Sequence, residues 1–259
     1  MGFHAKKRFG QNFLIDNTII EKIVDSVEVI NNEKILEIGP GKGYLTKELK
    51  SFNKDLFCFE IDEDTTKYLL PLQDDKTHII YSDFLSINLN DYFSNNDIIH
   101  VIANIPYYIT TPIIEHLIDS KLNIKDMTLM VQKEVAERLC AKPRTKDYGY
   151  ITVYLNYYYE INKIIDVPRK AFNPIPNVDS AVIQLNKRIN KYNLKNEELF
   201  FNLIKDAFKM KRKNLRNNLK NYDLDKILEV LLDNSLDLNN RAEEVPIEVF
   251  ISVANNLLR

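Results

Sequence analysis

The chain has 259 residues, 45% hydrophobic and 28% charged, enough for a full core in one or two domains of ordinary soluble composition. No apolar run reaches membrane-spanning length, and the opening Met-Gly-Phe-His-Ala-Lys-Lys-Arg has no hydrophobic signal core, so the expected compartment is the cytoplasm. Net charge is −2, which by itself argues against a polyanionic partner, yet from Asn186 to Lys220 eleven basic residues face three acidic ones, a local +8 that leaves −10 for the remainder. Such concentration on an otherwise acidic chain suits nucleic acid. Cys58 and Cys140 lie far apart without a nearby cysteine or histidine pair; they read as reduced packing residues, and no metal is expected. His4, His78, His100 and His116 show no convergent partners and carry no expected role.

Residues 4–14 form a basic, glycine-containing arm. Asp16 or Asn17 can cap a helix with apolar positions Ile19, Ile20, Ile23, Val24 and Val27. Strands are expected at Lys34–Ile38, Asp55–Glu60, His78–Tyr81, Ile98–Ala103 and Met127–Val131. Helices are expected at Tyr44–Leu49, Glu63–Leu70, Pro112–Asp119 and Lys133–Ala141. This alternation implies a mostly parallel sheet covered by helices on both faces. The aromatic run Ile151–Tyr159 is read as helix, and its tyrosines as core. Ile161–Val167 and Ser180–Leu185 read as two further strands. Beyond Asn186 only helices follow, at Glu197–Phe208, Lys211–Lys220, Leu224–Leu232 and Pro246–Leu257. Two domains are therefore expected: 1–188 with the arm and the sheet, and 189–259 as a helical RNA-binding domain.

Three strand ends carry chemistry. After the first strand comes Glu37-Ile-Gly39-Pro-Gly41-Lys-Gly43, a glycine-rich turn that lets backbone approach a ligand. Its Gly-x-Gly-x-Gly spacing puts Tyr44 where a dinucleotide fingerprint needs glycine, and it lacks the Gly-Lys-Ser/Thr of a phosphate loop. A nucleoside without pyrophosphate fits, and S-adenosylmethionine is one; Glu37 favours its positive charge. Glu60 ends the next strand, where it can accept from both ribose hydroxyls. Asp83 can accept from the cofactor's adenine amino group, with Phe84 beside it. Singly, each acid also reads as a solvated strand end; jointly they line one sheet edge.

The fourth strand breaks into Asn104-Ile105-Pro106-Tyr107. Proline stops the strand and biases Ile105 toward extended backbone. The Asn104 amide oxygen and the Ile105 carbonyl are two acceptors beside the flat face of Tyr107. That set suits the exocyclic amino group of a heterocycle such as adenine, although four residues alone also fit an ordinary turn.

Together the segments Arg8–Leu14, Glu37–Gly43, Glu60, Asp83, Asn104–Tyr107, Met130–Arg138 and Phe172–Ser180 resemble the rRNA adenine N6,N6-dimethyltransferases. Within them the chain looks most like the small-subunit branch, the kasugamycin-resistance family, and Lys211–Arg216 resembles that family's carboxyl-terminal segment. The resemblance implies a Rossmann-like, seven-stranded S-adenosylmethionine-dependent methyltransferase sheet with a small all-helical C-terminal domain. It implies that Asn12, Leu14, Gly39, Gly41, Glu60, Asp83 and Asn104 border the cofactor. Tyr107 and Phe172 flank the target base, and Lys211, Arg212 and Arg216 meet RNA. The implied reaction puts two methyls on each of two adjacent adenines in the 3′-terminal hairpin of small-subunit rRNA, within a ribosomal precursor particle, by a monomeric enzyme. Other classes compete: the macrolide-resistance branch acting on large-subunit rRNA, a non-catalytic ribosome-assembly factor and a DNA adenine methyltransferase.

Overall fold

In the computed structural model, which describes residues 11–105, 109–189 and 192–258, short apolar runs become strands where the sequence places them. In chain order the strands are β1 (Phe13–Leu14), β2 (Lys34–Ile38), β3 (Leu56–Glu60), β4 (Thr77–Tyr81), β5 (Ile98–Asn104), β6 (Asn123–Gln132), β7 (Tyr159–Val167), β8 (Phe172–Asn173) and β9 (Ser180–Lys187). The helices are α1 (Asn17–Asp25), α2 (Tyr44–Leu49), α3 (Thr66–Leu69), α4 (Thr110–Asp119), α5 (Lys133–Leu139), α6 (Tyr150–Tyr158), α7 (Glu197–Ala207), α8 (Leu215–Asn218), α9 (Leu224–Asp233) and α10 (Ile247–Asn256).

Seven strands form one sheet in the order β4-β3-β2-β5-β6-β9-β7. From β4 to β6 all pairs are parallel, and β9 runs antiparallel to β6. β2 pairs with β3 on one side and β5 on the other, so strand order reverses there and opens the crevice where such sheets hold ligands. Register brings Ile38 opposite Ala103 and Glu60 opposite Tyr81, so the carboxyl ends lie along one edge. The middle strands are buried on both faces: Ile35, Val101, Met127 and Leu129 are all fully covered. Each such side chain contributes roughly 1.5–3 kcal/mol on burial. α1 and α2 supply Ile20, Ile23, Leu45 and Leu49 to a cluster that includes Ile35, Cys58 and Ile102. The edge strand β7 is buried only at its two ends and carries a Lys163–Asp166 ion pair, charges that discourage further strand pairing.

The chain divides into two compact units. The first runs through Ala136 and resumes over Asn162–Asn186; the second takes Glu137–Ile161 and continues from Lys187. The second is therefore entered twice, and α6 belongs to it. Its core gathers Phe200, Leu203, Ile204, Leu231 and Phe250, with Tyr148 and Tyr157 buried among them.

Two expected helices are shorter than periodicity suggests. Glu63–Leu70 holds only the single turn α3, flanked by 3-10 turns at Glu63–Thr65 and Leu70–Leu72, the second containing Pro71, which has no N–H to give. Lys211–Lys220 reduces to α8, because Asn214 caps a new helix by accepting from Asn217 N–H at 3.2 Å. The preceding Lys209–Lys213 stretch, crowded with like charge, is turn. The antiparallel ribbon of β1 and β8 is absent from the sequence reading, since two-residue strands carry no period.

His100 corrects the expectation that no histidine has partners. It is fully buried on β5, with Nδ1 2.8 Å from Asp126 and Nε2 2.8 Å from Glu33. Asp126 is its cross-strand neighbour on β6, and Lys125 adds contacts to Glu33 at 3.1 and 3.2 Å.

Candidate active site

Each glycine-loop residue is fixed by backbone need. Gly39 accepts the strand's end by donating its N–H to the Phe59 carbonyl at 2.9 Å. Gly41 sits at φ +56°, where an added Cβ would lie 2.8 Å from the Phe13 ring; both facts demand glycine. The loop then closes with Gly43 N–H on the Pro40 carbonyl at 2.8 Å and enters α2.

Two buried carboxylates organise the space behind this loop. Glu60 accepts from Gly41 N–H through Oε2 and from Asp62 N–H through Oε1, each at 2.8 Å. Burial raises its pKa, against the lowering by those two bonds. A carboxylate has about four lone-pair sites, so it can still accept from hydroxyl donors. Glu37 is 1% exposed; burial pushes its pKa up to about 7, and the Cys58 thiol donates to it at 3.4 Å.

The described part of the arm forms a further wall. Gln11 donates to Asp62 at 2.7 Å, and Phe13 and Leu14 pair with Asn173 and Phe172. Lys42 Nζ stands 4.7 Å from the Phe13 ring centroid, a cation–π contact. Asn104 Nδ2 donates to the Asn12 carbonyl at 3.4 Å, which commits its nitrogen and leaves Oδ1 as an acceptor. Asp83 accepts from Leu85 N–H at 3.0 Å, capping a 3-10 turn, and Phe84 packs edge-on to Phe59 and His116.

One pocket is lined by Asn12, Leu14, Gly39, Gly41, Glu60, Asp83, Asn104 and Ile105, all read from the sequence as site residues. Pro106 and Tyr107 lie outside the described residues. Phe172, expected to flank the target base, is 1% exposed and packed in the core cluster with Leu14, Ile20 and Val182. Its pairing with Leu14 anchors the arm. Lys211, Arg212 and Arg216 belong to the second unit and are exposed. Gln11, Phe13, Lys42, Ile61, Ile109 and Ile113 also line the pocket and are not among the expected site residues. The signal for Phe13 was its place between Asn12 and Leu14; the isoleucines carry no signal beyond apolarity. What results is an apolar slot with acids at successive strand ends and a backbone cradle at its centre.

A family model described as "Ribosomal RNA adenine dimethylase" matches residues 2–258. A Geobacillus sp. (strain WCH70) protein named Ribosomal RNA small subunit methyltransferase A is 41% identical over 273 residues, covering 99% of this chain and 92% of that one. A protein of the same name from Clostridium botulinum (strain Okra / Type B1) is 40% identical over 257 residues, covering 96% of this chain and 92% of the relative. Among solved structures, a dimethyladenosine transferase from Plasmodium falciparum superposes with TM-score 0.78 at 25% identity, covering 93% of this chain and 95% of that one. The 23S rRNA methyltransferase ErmE superposes with TM-score 0.76 at 25% identity, covering 96% of this chain and all of the other. With a family model spanning nearly the whole chain and relatives aligned end to end, this chain belongs to the ribosomal RNA adenine dimethylase family.

Proposed function

We propose that this protein transfers methyl groups from S-adenosylmethionine to N6 of two adjacent adenines in the 3′-terminal hairpin of small-subunit rRNA, giving N6,N6-dimethyladenosine on a ribosomal precursor particle. The observation that carries the reading is the gathering of the glycine turn, Glu60, Asp83 and Asn104 in one pocket at the switch point of the sheet. The relatives named for small-subunit methylation, near 40% identity, support the branch. The side chains present fit the cofactor: Glu60 for ribose hydroxyls, Asp83 for an adenine amino group, Glu37 for positive charge, and a glycine turn whose Gly41 has no room for a Cβ beside Phe13.

When bound, the cofactor supplies an electrophilic methyl on a sulfonium. The chain's task is to present the nucleophile. An adenine amino lone pair is delocalised into the ring and attacks poorly. Asn104 Oδ1 and the Ile105 carbonyl accept its two N–H bonds and favour a tetrahedral nitrogen, freeing the lone pair for attack. This is positioning with electrostatic complementarity and requires no strong base. Tyr107 holds the extruded base by its ring face. A non-catalytic assembly factor would need neither this acceptor pair nor the buried acids.

The test is methyl transfer from labelled S-adenosylmethionine to unmethylated small-subunit particles, with large-subunit rRNA and adenine-containing DNA in parallel. N6,N6-dimethyladenosine in small-subunit rRNA is expected. Label only in large-subunit rRNA moves the chain to the other branch. No label anywhere, with cofactor bound, leaves an assembly factor.

A further inference from the structure

The second unit holds a cleft of about 230 Å³ that shares no residue with the pocket above. Exposed Arg138, Lys146, Lys211 and Lys213 line it, together with Tyr148 and Phe208, whose ring centroids lie 6.1 Å apart. Among the described residues none of these four cations forms an ion pair. Asp147 and Glu243 also line the cleft, so positive charge stays in surplus. Gathered like charges repel one another, and an anion relieves the repulsion.

The walls are already tied to one another. Lys211 Nζ donates to the Lys146 carbonyl at 2.7 Å, and Arg144 N–H to the Glu243 carbonyl at 2.7 Å. Thr152 Oγ1 donates to the Arg138 carbonyl at 2.8 Å, and Tyr148 N–H to the Thr145 carbonyl at 3.2 Å. A cleft held this way loses little freedom on binding. Phe208 is only half-buried and lines the cleft while its ring packs on Tyr148 and Phe250, at centroid distances of 6.1 and 5.9 Å.

We propose that this cleft seats one unpaired nucleotide of the RNA partner, its phosphate among the cations and its base against Phe208. The inference rests on the reading that the substrate is RNA, and it names a contact beyond the methylated adenines. A duplex keeps its bases stacked and paired, offering only phosphates and groove edges, so its base faces cannot reach an aromatic residue in a concave site. An extrahelical base can, and aromatic rings accept any of the four. The concavity and the ring separate this site from a flat basic face, which would serve a duplex equally well.

The experiment uses the full chain and fluorescence anisotropy with two labelled RNA hairpins, one fully paired and one carrying a single unpaired nucleotide in its stem. AMP and inorganic phosphate serve as competitors. The wild-type protein is expected to prefer the bulged hairpin by about tenfold, and Phe208→Leu to abolish that preference. Lys146→Ala with Lys213→Ala should lower the salt slope of binding by about 0.7 for each lysine removed. Melting temperatures report whether each variant folds, and either variant alone reads the site. Equal affinity for both hairpins in the wild type, or an unchanged preference and salt slope in the folded variants, overturns the proposal. Displacement of RNA by AMP or phosphate without any hairpin preference reassigns the cleft to a free anion and overturns it too. Methyl transfer measured on the same preparations keeps the two readings separate: absent transfer with the hairpin preference intact defeats only the earlier one.

Discussion

Asn104 and Glu37 do opposite kinds of work in one pocket. In the proposed reaction Asn104 accepts from the reacting amino group, while its nitrogen donates to the Asn12 carbonyl, so truncation would remove the proposed acceptor and leave the glycine turn in place. Asn104→Ala is expected to retain cofactor affinity by calorimetry and lose about 10²–10³-fold in turnover; near-normal turnover would remove Asn104 from the reaction. The proposed part of Glu37 runs through its proton. Its carboxyl group is raised from 4.5 to about 7 by burial, so the folded state binds more protons than the unfolded state between those values. The stability tied to that proton is complete below pH 4.5 and lost as pH rises through 7, about 3 kcal/mol in all. A cation bound beside Glu37 draws the proton off. Cofactor affinity should therefore rise as pH passes through 7, and the rise should be missing in Glu37→Gln. A parallel pH profile in both proteins would show that Glu37 does not face the charge.

At the scale of elements, β5 is held at both ends. Its carboxyl end presents Asn104; nearer its start, His100 is gripped by Asp126 and Glu33. Burial alone would depress the imidazole, but the two carboxylates outweigh it and hold the pKa above the ordinary 6.5. Stability from His100 is thus complete below 6.5 and lost as pH rises through its raised folded value. Glu33 runs the other way: burial would raise it, yet the Ile30 N–H, His100 and Lys125 lower it, so its contribution is lost as pH falls below the ordinary 4.5. The wild type minus His100→Gln stability difference, from denaturant melts, should be largest between those limits and shrink on alkalinisation; a flat difference would mean an uncharged imidazole. This cluster was illegible in sequence because its members, Glu33, His100 and Asp126, come from three segments and meet only through strand register. What was legible had local grammar. β2 and α2 appear with their expected bounds, and the glycine turn and strand-end acids converge because parallel strands align their ends. The ribbon of β1 and β8 joins residues with no shared period, so the pairing of Phe172 with Leu14 that anchors the arm was not legible. Leu14, 4% exposed and paired with Phe172, should cost about 2–5 kcal/mol on truncation to alanine and weaken cofactor binding through the arm, read as a melting-temperature drop with reduced ligand protection.

Across the whole molecule, charge is sorted rather than abundant. Net charge is −2, yet Asn186–Lys220 carries +8, all of it in the second unit, where Lys211, Arg212 and Arg216 are exposed around the start of α8. A chain that only needed solubility would gain nothing from this segregation, since screened surface charges contribute little to stability. Phosphate neutralisation gives it a use, and that use leaves a signature: each phosphate contact adds about 0.7–0.9 to the dependence of log affinity on log salt. Replacing Lys211, Arg212 and Arg216 by alanine should therefore lower the slope by roughly 2–3 and weaken RNA binding most at low salt. The pocket in the first unit keeps its lining in this variant, so cofactor binding should be unchanged. The two measurements pull apart the alternatives: an unchanged slope with normal cofactor binding would make the basic segment a solvated face, whereas loss of both would mean that the substitutions unfolded the chain. Arg216 sits in the single turn of α8 and Lys211 and Arg212 in the exposed turn before it, so their side chains can be removed without breaking a long helix, and a folded variant is the expected outcome.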